Sequence, residues 1–193
     1  INPENLIVTN GSQQALDLSG RLFLDPGDCI LMEKPSYIGA IQSFSAYNVS
    51  MVQVALEHDG ISLSELSEKC RHYHPKFLYG ITSFQNPSGI SYSYTKRTSL
   101  AELLKTERLP FIEDDPYSEI YFTKAETMPV SLMIPEQCIL TGSFSKMISP
   151  GIRAGWMLVH DKLKSFLLKA KQASDLHTNN IVQQMIYRFL ADN

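Results

Sequence analysis

The sequence predicts an α/β sandwich built on a mainly parallel sheet. Three observations carry that expectation. Apolar runs of strand length alternate with stretches of helical period along the chain. Clusters of Gly, Pro, Asn and Asp punctuate them. The residues with chemical potential (Gly11, Ser12, Asn86, Asp114, Ser143 and Lys146) all fall just after predicted strands, the end of such a sheet where ligands bind.

Leu6-Ile7-Val8 reads as a strand, and Asn10-Gly11-Ser12 supplies a turn and a cap. Residues 13–24 then carry apolar side chains at Ala15, Leu16, Leu18, Leu22 and Phe23, a helical period. Asp25-Pro26-Gly27-Asp28 is a turn, Cys29 to Met32 a strand and Tyr37 to Tyr47 a helix. Met51 to Leu56 alternates as a strand does, and Leu63 to Tyr73 is helical with Ser62 or Ser64 as its cap. Phe77 to Thr82 is a strand, Gln85 to Gly89 a loop and Thr95 to Thr106 a helix. Pro110 to Ile112 is a buried strand running into three acids. Ile139 to Thr141 and Ala154 to His160 are strands, Asp161 to Ser174 a lysine-rich helix, and Ile181 to Leu190 an amphipathic helix.

The 193 residues suffice for one domain with a sizeable core, and 44% are hydrophobic. Net charge is −3 and the seventeen Lys and Arg are scattered, which argues against a nucleic-acid surface on this domain. No apolar run approaches the roughly 18 residues of a membrane span. Cys29, Cys70 and Cys138 are odd in number and lack metal spacing, so reduced thiols in a cytoplasmic protein are expected. The chain starts at Ile1 and stops at Asn193 just after a helix, the pattern expected of an excised fragment.

The densest chemical signal is Gly142-Ser143-Phe144-Ser145-Lys146, with Arg153 seven residues on. A lysine amine that is neutral often enough attacks an aldehyde to give a Schiff base. Two serines and an arginine hold a phosphate. An aldehyde and a phosphate on one molecule suggest pyridoxal 5'-phosphate; a surface lysine after a strand is the plain alternative. Gly11-Ser12-Gln13 opens a helix whose first-turn N–H groups favour an anion, unless Asn10 or Ser12 simply caps it. In Glu113-Asp114-Asp115-Pro116-Tyr117, three adjacent acids are costly unless something uses them. An aspartate paired with a pyridine nitrogen would keep that nitrogen protonated and the ring an electron sink. A solvated acidic loop or a metal site is the other reading, and no histidine lies near to support a metal. Asn86 in Gln85-Asn86-Pro87-Ser88-Gly89 can donate to a phenolate, or mark a plain Asn-Pro turn.

Taken in order, Gly-Ser-Gln after a strand, an aromatic after Lys34-Pro35-Ser36, Asn-Pro-Ser-Gly, Asp-x-x-Tyr, and Ser-x-Ser-Lys with an arginine resemble the fold-type I pyridoxal-phosphate enzymes, specifically the class I/II aminotransferases. The resemblance runs from about Leu6 to Leu190. The fuller phrasing Ile-Glu-Asp-Asp-Pro-Tyr-Ser-Glu is most similar to the subgroup of 2-aminoadipate/kynurenine-type enzymes, which also holds the aminotransferase-like domains of MocR-type regulators fused to a GntR-type winged helix.

The resemblance implies a three-layer α/β/α sandwich, with residues 1–193 forming the large cofactor-binding domain and an N-terminal arm and C-terminal small domain lying outside it. It implies Lys146 as the Schiff-base lysine and general base, Asp114 as partner of the pyridine N–H, and Asn86 and Tyr117 on the phenolic oxygen. It implies Tyr37 stacked on the ring, and Gly11, Ser12, Gln13, Ser143, Ser145 and Arg153 around the phosphate. The implied catalytic set is Lys146, Asp114 and Tyr117, with no metal. The implied activity is amino-group transfer between an amino acid and a 2-oxo acid, in a homodimer, with no nucleic-acid or membrane partner for this domain. The fragment alone is expected to be inactive. The alternative is a pyridoxal-phosphate-binding effector domain of a GntR/MocR-type regulator, and another reaction on the same scaffold is a third possibility.

Outside these motifs, Arg21, Arg71, Arg97 and Arg108 read as solvated helix residues, and the Lys162–Lys171 face as solvent-facing. Tyr92 and Tyr94 are candidates for a partner-subunit contact, and His72, His74 and His160 for surface or structural roles.

Overall fold

A computed structural model describes residues 2–122 and 128–192. Its sheet takes up β1 (Leu6–Thr9), β2 (Cys29–Lys34), β3 (Ser50–Glu57), β4 (Gly60–Ile61), β5 (Leu78–Gly80), β6 (Phe111–Asp114), β7 (Cys138–Ser143) and β8 (Gly155–Val159). The helices are α1 (Ser12–Phe23), α2 (Ile38–Ser45), α3 (Leu63–Tyr73), α4 (Tyr94–Glu107), α5 (Asp161–Asp175) and α6 (Asn180–Asp192). The strand order is β1-β8-β7-β6-β5-β2-β3-β4. Neighbours from β3 through β2, β5 and β6 to β7 pair in parallel, while β8 runs against both β7 and β1. The sheet is thus mainly parallel, as the alternation of strands and helices requires.

Helices cover both faces. On one, Leu66 of α3 and Leu100 and Leu104 of α4 pack on Leu31, Leu78 and Phe111. On the other, Leu16 of α1 and Phe44 of α2 pack on Ile30, Met32, Tyr79 and Ile112, and Leu167 of α5 packs on Ile7, Ile139 and Met157. Successive strand residues go to opposite faces, which is why Leu78 and Tyr79, or Phe111 and Ile112, belong to different cores. Fully burying one such side chain contributes roughly 1.5–3 kcal/mol. Among the described residues, no helix is long and apolar enough to cross a membrane.

The same alternation resolves the acid cluster. Glu113 and Asp114 both lie within β6, not beyond it, and point to opposite faces. Glu113 faces α4 and accepts from Thr82 Oγ1 at 2.5 Å, Val130 N at 3.1 Å and Ser131 N at 2.7 Å. It is a satisfied buried carboxylate, and Asp114 is left alone on the other face.

Three surface readings and one capping reading are corrected. Arg97 is not solvated: it is fully buried, and its guanidinium donates to Tyr92 O, Thr82 O, Thr82 Oγ1, Ser83 Oγ and Met128 O. Carbonyls and hydroxyls from the loop after β5 draw it inward. Tyr92 is buried as well, its hydroxyl donating to Glu33 at 2.6 Å, so it offers no partner contact; Tyr94 is exposed. Lys171 leaves the solvent face of α5 to pair with Asp175 at 2.5 Å. Neither Asn10 nor Ser12 caps α1; Gly11 takes the N-cap position without a side-chain hydrogen bond.

Candidate active site

The reversed direction of β8 gathers the site. Residues just after β1, β5, β6 and β7 lie at the carboxyl end of the sheet. Arg153 lies just before β8, which runs the other way, so it reaches the same end. The register aligns Thr9 and Ser143 with Gly155 on either side of β8.

One cavity of about 290 Å³ opens there. Ten of the eleven expected residues line it: Ser12, Gln13, Tyr37, Asn86, Asp114, Tyr117, Ser143, Ser145, Lys146 and Arg153. Gly11 does not line it but stands behind it. A Cβ at Gly11 would lie 2.6 Å from Nη2 of Arg153, and its φ of +83° is one that side-chain-bearing residues avoid. Glycine is therefore what lets the guanidinium lie against the turn. Ile81, Pro116 and Pro150 complete the walls.

The turn before α1 is anchored by Thr9 Oγ1, which donates to Gly11 O at 3.0 Å. With no side chain capping the first turn of α1, its N–H groups and the positive end of the helix dipole are available to an anion. Gln13 Nε2 donates to Gly39 O at 2.8 Å and ties this turn to the start of α2. Arg153 brings the positive charge, with Nη1 3.3 Å from Pro150 O.

Asp114 ends β6 and is 1% exposed. Its Oδ2 accepts from the Tyr79 hydroxyl at 3.0 Å, while Oδ1 is buried with no hydrogen-bond partner. Burial pushes its pKa up to about 7; the Tyr79 hydrogen bond opposes the rise and the Asp115 charge adds to it. Asp115 is raised to about 6, again chiefly by burial, with Ser118 holding it down. Asn86 Nδ2 donates to Tyr117 Oη at 3.1 Å, so these two form one wall. Tyr37 is raised first by burial and then by the nearby Asp114 charge. Ser143 Oγ accepts from Ser145 N at 3.1 Å, and Ser145 Oγ is buried without a partner. Lys146 is exposed at the mouth.

Two supports had no clear sequence signal. Tyr79 reads as a core strand aromatic, yet its hydroxyl is what holds Asp114. Glu33 is fully buried behind the loop after β5 and accepts from Tyr92 Oη, from Gln85 Nε2 at 3.0 Å and from Ile81 N at 3.2 Å. Burial lifts it to about 7 against those three donors. Gln85 also donates to Pro35 O and accepts from Ser88, so it shapes the loop that presents Asn86. The only hint was the position of Glu33 at the end of a strand directly before Lys34-Pro35.

A family model described as aminotransferase class I and II matches residues 1–192. The 2-aminoadipate transaminase of Thermus thermophilus is 38% identical over 196 residues, covering 100% of this chain and 49% of that protein. The uncharacterized HTH-type transcriptional regulator YisV of Bacillus subtilis is 31% identical, covering 95% of this chain and 38% of its own length. The crystal structure of LysN, the alpha-aminoadipate aminotransferase of Thermus thermophilus complexed with N-(5'-phosphopyridoxyl)-L-leucine, superposes with a TM-score of 0.94 at 38% identity, over 99% of this chain and 50% of that one. The chain thus spans half or less of the length of these relatives.

Proposed function

Since this chain belongs to the class I and II aminotransferase family, we propose that residues 1–193 are the cofactor-binding large domain of a pyridoxal-phosphate-dependent aminotransferase. The full protein would move an amino group between an amino acid and a 2-oxo acid, as a homodimer.

The observation that carries the reading is the bare Oδ1 of Asp114 in a cavity that also holds Lys146 and Arg153. An unpartnered buried carboxylate oxygen is costly. A protonated ring nitrogen supplies the missing donor and a positive charge together, and favours the ionised form that burial otherwise resists. The uncapped first turn of α1 beside Arg153 suits a phosphate at the other end. The residues present therefore fit this cofactor.

Asp114 would hold the ring nitrogen protonated, and Tyr79 would keep Asp114 in place. Asn86 and Tyr117 would donate to the phenolic oxygen, their mutual hydrogen bond fixing both groups on one side of the cavity. Tyr37 would cover a ring face. Ser12, Gln13, Ser143, Ser145 and Arg153 would hold the phosphate. Lys146 would form the covalent link, and its Nζ, once free, would carry the proton taken from the substrate. When bound, the cofactor supplies an electron sink for the pair left at the substrate α-carbon.

Mixing the full-length protein with pyridoxal 5'-phosphate is expected to give a visible absorption band that Lys146→Ala abolishes. Retention of the full band in the variant would overturn the role of Lys146. The regulator reading is favoured by the identity to HTH-type regulators, 31% to YisV across 95% of the chain and 30% to YdcR of Escherichia coli across 99% of it. Turnover of an amino acid and a 2-oxo acid by the full-length protein decides for the enzyme. Cofactor binding without turnover, together with DNA binding, decides for the regulator.

A further inference from the structure

The segment Gly11-Ser12-Gln13 is held from both sides by one carboxylate far along the chain. Asn10 Nδ2, just before it, donates to Asp175 Oδ2 at 2.5 Å. Gln14 Nε2, just after it, donates to the same oxygen at 2.8 Å. Asn10 N donates to Gln14 Oε1 at 2.8 Å, closing a ring of hydrogen bonds across the turn. The other oxygen of Asp175 takes Lys171 Nζ at 2.5 Å. The pair sits at the end of α5, with side chains 5% and 19% exposed. A flexible lysine is rarely buried without a partner and a task, and a charge-assisted hydrogen bond is about twice as strong as a neutral one.

We propose that Asp175, itself oriented by Lys171, is a positioning residue that fixes the turn from Asn10 to Gln14 so that the first N–H groups of α1 converge on the phosphate of the cofactor. Asp175 does not line the cavity, so it acts only through the turn. The inference rests on the cofactor reading given above. It goes beyond that reading in naming what pre-organises the anion site. A turn held by two side chains loses little freedom when the anion arrives, and that is where the gain in affinity comes from.

The phosphate itself provides the test. Full-length wild type, Asp175→Asn and Asn10→Ala are titrated with pyridoxal 5'-phosphate and with pyridoxal, which lacks the phosphate, and the visible absorption is followed. Far-UV circular dichroism and a thermal melt check folding. Asp175→Asn keeps the shape but loses the charge, and Asn10→Ala leaves the Lys171 ion pair intact. We expect Asp175→Asn to weaken pyridoxal 5'-phosphate binding about tenfold, the size of one lost charge-assisted hydrogen bond, while pyridoxal binding changes less than about twofold, within ordinary mutational scatter. Asn10→Ala should do the same to a smaller extent, and it decides the matter should Asp175→Asn fail to fold. Equal weakening of both ligands, or no change in either, overturns the inference while leaving the cofactor reading intact. A wild-type protein that binds neither ligand overturns both.

Discussion

The Tyr79 hydroxyl donates to one oxygen of Asp114 at 3.0 Å, and the other oxygen of this cavity-lining residue is buried with no partner. One donor is enough to aim the carboxylate but not to satisfy it. Under the proposed function, its open oxygen would take a cationic donor from the ligand.

Removing that donor should weaken the ligand's partner from behind. In Tyr79→Phe the ring stays in the core and only the hydroxyl goes. Asp114 then becomes harder to ionise than its value of about 7 already implies. Affinity for pyridoxal 5'-phosphate near neutral pH should fall by about tenfold, the effect of roughly 1.5 kcal/mol. The loss should shrink at higher pH, which absorbance titrations at several pH values will check. A pH-independent loss would contradict it.

The buried acids set the pH dependence of stability. Glu33 and Asp114 are lifted to about 7 and Asp115 to about 6, all chiefly by burial. The unfolded chain releases these protons near pH 4. Between about pH 4 and 7 the folded state therefore binds more protons than the unfolded one, and stability falls as pH rises. Each fully titrating group contributes up to about 1.4 kcal/mol per pH unit. The cofactor-free protein should melt higher at pH 5.5 than at pH 8, and bound cofactor should narrow the difference. Calorimetry across that range measures both.

Arg97 is expected to be among the costliest side chains to remove. Arg97→Met leaves the carbonyls of Thr82 and Tyr92 and the hydroxyls of Thr82 and Ser83 without their donor. Each buried acceptor left unsatisfied costs about 1–3 kcal/mol. Urea unfolding should show it. Arg97→Lys should restore only part, since an ammonium cannot reproduce the planar fork that serves five acceptor atoms.

Gly11→Ala combines two costs. The φ of +83° disfavours any side chain, and the new methyl would sit 2.6 Å from Arg153 Nη2. Backbone strain of this kind costs of order 1–3 kcal/mol, and the guanidinium must move. Melting temperature should drop modestly, and inorganic phosphate should compete less well for the site. Unchanged competition by phosphate would show that Arg153 tolerates the shift.

Much of the fold was legible because local pattern and tertiary role agree. The helix read over Leu63 to Tyr73 is α3 to the residue, since its apolar period also faces the core. Two-residue β4 carries too little pattern to be read. Arg97 and Lys171 each sit among polar helix neighbours, and what draws them inward lies elsewhere in the chain: Arg97 bonds Thr82 and Ser83, and the Asp175 that pairs with Lys171 is itself held by Asn10 and Gln14. For Lys171 half of the signal was present, because Asp175 lies four residues on. The cavity-lining residues stood out because their types, spacing and order are unusual together. Tyr79 did not, because a tyrosine in an apolar strand looks like core until its hydroxyl partner is seen.

Lys146 and Arg153 both lie on the single loop of residues 144–154 that joins β7 to β8 as a hairpin. The loop therefore works as a ruler. The separation between the amine and the guanidinium is set by the length of one short covalent segment, anchored at both ends in adjacent strands. It does not depend on how distant layers pack. A core mutation that loosens the sandwich leaves that spacing nearly intact, whereas inserting a single residue into the loop miscalibrates it in an otherwise sound protein.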